Sequence, residues 1–253
     1  MNQNVYSKFG IIGLNLNKKF DKILLKNTET LGITTEHALC IYYNITHKIS
    51  DTRVSKPLSN ILVDCFNKCK LSNYINLNKH IGGKNTYIDF LNKEQTISVK
   101  TNYSTHKICP STIGQTTKKK WLNHFDIDLV DNKNIKNFIV KNINNIFSEY
   151  LSHLFCCDKL VYLKCKKIKK TNNILIDTLF ISPKLNINNS NLNFHFSHLI
   201  KNKEWNESTT LYIQNSNLNK NYSIGEFQIH NKRNCIKFRI NLLNLLEYKF
   251  HMI

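Results

Sequence analysis

Glycine and proline are scarce in this chain of 253 residues, with 7 Gly and 3 Pro, and alanine is scarcer still. Asn, Lys and Ile are abundant instead. A very AT-rich genome writes that bias, so it says little about function. No internal repeat and no Pro- or Ser-rich linker interrupts the chain. Its length suits one large domain, or a core domain with a smaller lobe. No run approaches the ~20 apolar residues needed to span a bilayer. A membrane is therefore not expected among the partners.

Carboxylates are the next shortage. Asp plus Glu number 17 against 36 Lys plus Arg, a formal charge of +19. Codon bias raises lysine, but it does not suppress acidic residues to this degree. A field of that sign attracts polyanions, and nucleic acid is the leading candidate.

Several chemical signatures are missing too. There is no G-x-x-x-x-G-K-[ST] phosphate loop, which argues against ATP-driven translocation. There is no G-x-S-x-G and no Cys–His nucleophile pair, so acyl transfer has little support. The opening MNQNVYSKFGIIGLNLNKKF lacks a long apolar h-region. The expectation is a cytoplasmic chain whose 8 cysteines are reduced. Cys65 and Cys69, Cys156 and Cys157, and the His195-x-x-His198 pair do not repeat the C-x-x-C spacing of a zinc ribbon. Cys65 and Cys69 continue the apolar stripe Leu58, Ile61, Leu62, Phe66, and read as small buried hydrophobes.

What is present has a clear order. Residues 15–26 read as a short helix through Leu16, Phe20, Ile23 and Leu24. A second helix is expected from Glu36 to about Ile45, capped by Thr34 or Thr35, and a third over 57–71 with Pro57 in its first turn. Gly82-Gly83 marks a break. Thr86–Leu91 and Thr96–Thr101 then read as a hairpin. Residues 111–125 suit a helix, and 134–155 a long one. From about 158 strands dominate: Leu160–Cys165, Ile174–Ile181, Leu192–Phe196, Thr210–Gln214, Ser223–His230 and Cys235–Ile240. The expected class is α+β, a mixed β-sheet flanked by helices with a β-rich C-terminal half. We expect a single domain over 1–253, with a helical region over 1–72, a hairpin and helices over 73–157, and a β-rich region over 158–253.

The hairpin carries chemistry. In IDFLNKEQTISVKT, Asp89 closes one strand, and Ser98 and Lys100 share a face of the next. Phosphodiester hydrolysis needs a hard oxygen ligand for Mg²⁺ and a nearby cation to stabilise developing charge. The segment resembles the PD-(D/E)xK nuclease motif as type II restriction enzymes carry it. Asp89 matches the first acidic position and Lys100 the motif lysine. Ser98 stands where the family usually has Asp or Glu, and Ile88 where it has Pro.

The resemblance covers roughly residues 82–121, including GGKNT before the hairpin and CPSTIGQ after it. It implies that the missing carboxylate comes from a neighbouring helix, with Glu36 of the second helix the first choice; Glu94, in the hairpin turn, is a weaker candidate. It implies Mg²⁺ held by Asp89, Glu36 and Val99 (the last through its main chain), with Gln115 orienting a water or phosphate. It also implies double-stranded DNA as substrate, a homodimer on a symmetric site, and a cognate DNA methyltransferase.

A second segment, IGEFQIHNKRNCIKFR over 224–239, alternates Phe and Ile with polar side chains around a turn. Gln228, His230, Asn231, Lys232, Arg233, Lys237 and Arg239 are of the types that read base edges or phosphates, and a two-stranded ribbon fits the major groove. Two alternatives stay open: a non-specific or repair-type nuclease of the same superfamily, and a basic nucleic-acid-binding protein without catalysis.

Overall fold

In the computed structural model, residues 7–25, 27–83, 86–93, 95–103, 107–128, 131–185 and 192–252 are described. The chain divides into two units, Met1–His106 with Phe155–Leu185, and Lys107–Leu154 with Asn186–Ile253. Each unit is thus assembled from two separate stretches. Helices and strands alternate irregularly along the chain, and the fold is α+β.

The first unit is built on a mixed sheet in the order β1-β7-β6-β4-β3-β2. Its strands are β1 (Ile12–Asp21), β2 (Lys79–His80), β3 (Phe90–Asn92), β4 (Gln95–Asn102), β6 (Lys159–Lys167) and β7 (Asn173–Pro183). Strands β4 and β6 pair in parallel and the other neighbours are antiparallel. Two helices, α1 (Thr28–Tyr42) and α2 (Lys56–Lys68), supply Leu31, Ala38, Leu39, Leu58, Leu62, Cys65 and Phe66 to one core with Ile97, Val99, Val161, Leu163 and Ile176. Central strands covered on both faces read as nearly continuous apolar runs. The LeuValTyrLeu stretch 160–163 of β6 is buried throughout, with Tyr162 stacked on Phe180 at 5.9 Å on the face away from Val161 and Leu163.

Over the described residues 15–25 the expected helix does not form, and only Lys22–Leu24 make a short 3-10 turn. Most of that segment is β1, paired with β7, and the register slips between Asn15 and Lys18 with Asn17 at φ 48°. Leu14, Leu16 and Phe20 all face inward, and the spacing of four between Leu16 and Phe20 suits a strand face as well as a helical stripe. The second helix starts earlier than expected. Its cap is Asn27, whose Oδ1 accepts from Thr30 N at 2.9 Å. Thr34 and Thr35 are fully buried inside the helix: Thr35 Oγ1 donates to the Leu31 carbonyl, and Thr34 Oγ1 accepts from Ser55 N. Replacing Asn27 with Ala should cost about 1 kcal/mol of unfolding free energy in urea titrations.

The second unit has an antiparallel sheet in the order β5-β11-β10-β9-β8. The strands are β5 (Gln115–Thr116), β8 (Phe194–Phe196), β9 (Ser208–Asn215), β10 (Lys220–Ile229) and β11 (Ile236–Ile240). Its helices are α3 (Lys118–His124), α4 (Asn132–Lys141), α5 (Ile143–Leu154), the short α6 (Ser197–Ile200) and α7 (Leu242–Met252). Alternation on β10 and β11 sends Phe227, Ile229, Ile236 and Phe238 into an aromatic core. There Phe238 lies 4.2 Å from Phe227 and 4.5 Å from Tyr150, ring to ring, and Trp121 Nε1 donates to Tyr150 Oη at 2.7 Å.

Three expectations change in this unit. The helix over 111–125 shrinks to α3, because Gln115 and Thr116 are drawn into a strand beside β11. The long helix over 134–155 is two helices. It breaks at Asn142, whose main-chain N–H and Nδ2 both return to the Phe138 carbonyl, a competition that short amide side chains offer the helix ladder. The C-terminal helix α7 was not foreseen.

Candidate active site and recognition sheet

Asp89 sits just before β3, and its main chain is fixed on both sides. Its N–H donates to the Ile97 carbonyl at 2.9 Å, and its carbonyl accepts from Ile81 N at 2.9 Å and Gly82 N at 3.0 Å. The side chain is turned inward. Oδ2 accepts from Val99 N at 2.6 Å and from Ser98 Oγ at 3.2 Å. Ser98, fully buried, therefore works as a donor that orients Asp89.

Glu36 lies beside it. Gly32, one turn earlier on α1, faces β4: a Cβ there would make ordinary contact with Thr101 Oγ1 at 3.5 Å. Glu36 Oε2 meets His80 Nε2 at 3.3 Å, and the His80 side chain is only 4% exposed. At Gly82 a Cβ would lie 2.9 Å from His80 Nε2 and 3.1 Å from Glu36 Oε2. At the Gly82 of the sequence break, a side chain would press on the ends of His80 and Glu36 beside the acidic pair.

The electrostatics are those of a crowded acidic pocket. Burial pushes the Asp89 carboxyl up, the Glu36 charge adds to it, and together they outweigh Lys100 and the two hydrogen bonds, leaving it at about 6. The thiols of Cys156 and Cys157 are raised by burial, and both feel Lys100 and Asp89 as well. Asp89 thus has Ser98, Val99 and Lys100 of the hairpin around it, and Glu36, which the resemblance named, beside it. Glu94 lies outside the described residues.

The acidic pair opens onto a cleft of 760 Å³ whose walls also include Lys48, Arg53 and His80. These three were missed in the sequence. Lys48 and Arg53 come from the connection between α1 and α2, remote from the motif, and no spacing announces them.

Over 224 residues the chain is 33% identical to the type II restriction enzyme CviAII of Paramecium bursaria Chlorella virus 1. The alignment takes in 87% of this chain and 60% of that enzyme, so the chain spans about three fifths of its relative's length. No family model and no solved structure matches the chain.

The second segment forms a polar sheet face. Gln228 pairs with Lys237 across β10 and β11, Lys237 with Gln115 on β5, and Gln228 with Ser208 on β9. Glu226 pairs with Arg239 in the next row. Glu226 Oε2 accepts from Lys107 Nζ at 2.7 Å and from Arg239 at 3.1 Å, while Oε1 accepts from Gln228 Nε2 at 2.7 Å. His230 Nδ1 meets Glu207 at 2.8 Å, Asn231 Oδ1 accepts from Asn132 Nδ2, and Lys232 and Arg233 stand exposed in the turn. Gln115 belongs to this second unit, in a strand next to the segment, whereas Asp89 belongs to the first. No described helix is long and apolar enough to cross a membrane.

Proposed function

We propose that the chain is a type II restriction endonuclease that hydrolyses double-stranded DNA at specific sites with Mg²⁺. The observation that carries the reading is the convergence of Asp89 and Glu36 on one cleft, with the Lys100 charge acting on the same carboxyl. The likeness to a restriction enzyme over most of this chain supports it.

The donor set fits a divalent cation. Two carboxylates face a common cleft, and one is held so far from ordinary carboxylate behaviour that a hard cation would relieve it. Asp89 and Glu36 would hold Mg²⁺, with Val99 offering its main chain. Bound there, the ion supplies Lewis acidity toward the phosphate and toward a water. The remaining work falls to the chain. Ser98 and the Val99 N–H fix the Asp89 carboxylate, His80 fixes Glu36, and Lys100 stabilises charge on the phosphate as the bond breaks. Lys48 and Arg53, on the same cleft, suit the flanking phosphates.

The polar face of β10 and β11 supplies the reading surface. Gln228, Lys237 and Arg239 are presented for base edges, Gln115 joins their row, and His230, Asn231, Lys232 and Arg233 form the turn beside them. The reading carries with it a homodimer, a cognate methyltransferase and a cytoplasmic setting.

The test is digestion of unmethylated phage and plasmid DNA with Mg²⁺ and with EDTA. Discrete bands that EDTA abolishes are expected. A smear would instead indicate a non-specific nuclease. DNA binding with no cleavage on several diverse substrates would leave a binding protein and overturn the catalytic reading.

A further inference from the structure

The CPSTIG turn after the hairpin, up to Gly114, is not used by the nuclease site, yet it is built with some strain. Thr112 adopts φ 61°, a left-handed conformation that β-branched residues avoid. At Gly114 a Cβ would stand 2.3 Å from the Pro110 carbonyl oxygen, so the turn closes tightly on itself. The result is that Thr112 Oγ1 lies 2.7 Å from His153 Nδ1.

The other edge of that imidazole faces a cluster. His153 Nε2 lies 3.2 Å from Glu149 Oε1, and His124 Nε2 lies 3.0 Å from the same oxygen. The two rings are 5.2 Å apart, edge to face. One ligand atom from each of the three residues falls within 4.8 Å of the others. Glu149 and His153 are four apart on α5 and share a face, while His124 ends α3. The His124, Glu149 and His153 side chains are 29%, 41% and 23% exposed, which leaves room for water on the open side.

We propose that His124, Glu149 and His153 bind a zinc ion that ties α3 to α5. Two imidazole nitrogens and one carboxylate oxygen, with water completing a tetrahedron, are a zinc donor set. Mg²⁺ prefers an all-oxygen shell, so this site is chemically separate from the acidic pair of the first unit. Thr112 is the outer partner that holds the His153 ring with Nε2 turned inward. The strained turn thereby acquires a purpose: it positions the hydroxyl behind a ligand.

The test uses the full chain stripped with a chelator and then dialysed. Competition against a chromogenic zinc chelator should show binding that falls at least tenfold in Glu149→Gln and in His153→Ala. Substitution with Co²⁺ should give ligand-field bands without a sulfur charge-transfer band, which separates this site from the cysteines. If those variants fail to fold, Thr112→Val keeps all three ligands and should still weaken zinc about tenfold. Unchanged affinity in the foldable variants, a sulfur-to-cobalt band, or no stoichiometric zinc would overturn the proposal. The readout is binding, so its outcome is independent of whether the protein cuts DNA.

Discussion

Replacing Asp89 with Asn should lower DNA cleavage by at least ~10³-fold and, at pH 7, make the protein more stable. The first effect follows from removing the anionic oxygen that faces the cleft, since a neutral amide is a poor ligand for a hard cation. The second follows from the electrostatics. In the folded chain the Asp89 carboxyl is raised to about 6 by burial and by Glu36, against ~3.9 for an unfolded Asp. Between those values the folded state holds a proton that the unfolded state has released. Stability therefore falls as pH rises from ~4 to ~6, and the deficit is complete above that window. At pH 7 the charge therefore costs stability on the order of a few kcal/mol. An Asn can still accept from Val99 N and Ser98 Oγ, so it removes the charge and keeps the hydrogen bonds. Urea unfolding from pH 4 to 8 checks this: the wild type should lose stability across the window and the variant should not. Millimolar Mg²⁺ should stabilise the wild type at pH 7 and leave the variant unaffected. A variant less stable than wild type at pH 7, or one that still cuts DNA, contradicts the assignment.

The hairpin was legible in the sequence because its chemistry is local. Asp89, Ser98 and Lys100 lie within twelve residues, and strand alternation alone places Ser98 with Lys100. Glu36 came from the resemblance to nucleases, and the structure sets it beside Asp89. His80, Lys48 and Arg53 could not be read, because their place depends on how β2 and the loop after α1 fold back over long separations. The misread elements have similar causes. In β1 the spacing of four between Leu16 and Phe20 fits a helix and a strand alike, and only pairing with β7 decides between them. Asn142 hid a break inside one apolar stripe. The α7 segment, with Leu242, Leu243, Leu245 and Leu246 all buried, presents apolar residues on too many sides for a clean period. Gln115 was read as helical because only pairing with Lys237, far along the chain, makes it a strand.

On the recognition sheet, Glu226→Ala should destabilise the protein by ~2–4 kcal/mol at pH 7 and blunt its choice of site. Glu226 is the shared partner of Lys107, Arg239 and Gln228, and the Lys107, Glu226 and Arg239 side chains are 15–19% exposed. Removing it takes away the carboxylate that Lys107 and Arg239 share in a mostly buried contact, which costs more than losing an exposed ion pair. Burial alone would raise the Glu226 carboxyl, but the hydrogen bonds from Lys107 and Gln228 and the charges of Lys107 and Arg239 outweigh it and hold it below the ordinary value. A lowered carboxyl stabilises the fold above the unfolded Glu value of ~4.3 and loses that contribution as pH falls through the folded value. The gap between wild type and variant should thus be full at pH 7 and shrink below ~4.3. The same carboxylate sets the directions of Gln228 and Arg239, two of the side chains offered to base edges. Freed of it, they should pair less selectively, and cleavage at sites one base pair off should rise about tenfold relative to the preferred site. Unfolding titrations at pH 7 and 3.5, with digests of substrates differing by one base pair, measure both effects. Equal stability at pH 7 would mean that the cluster is solvated rather than structural. Unchanged site preference would remove Gln228 and Arg239 from the reading surface.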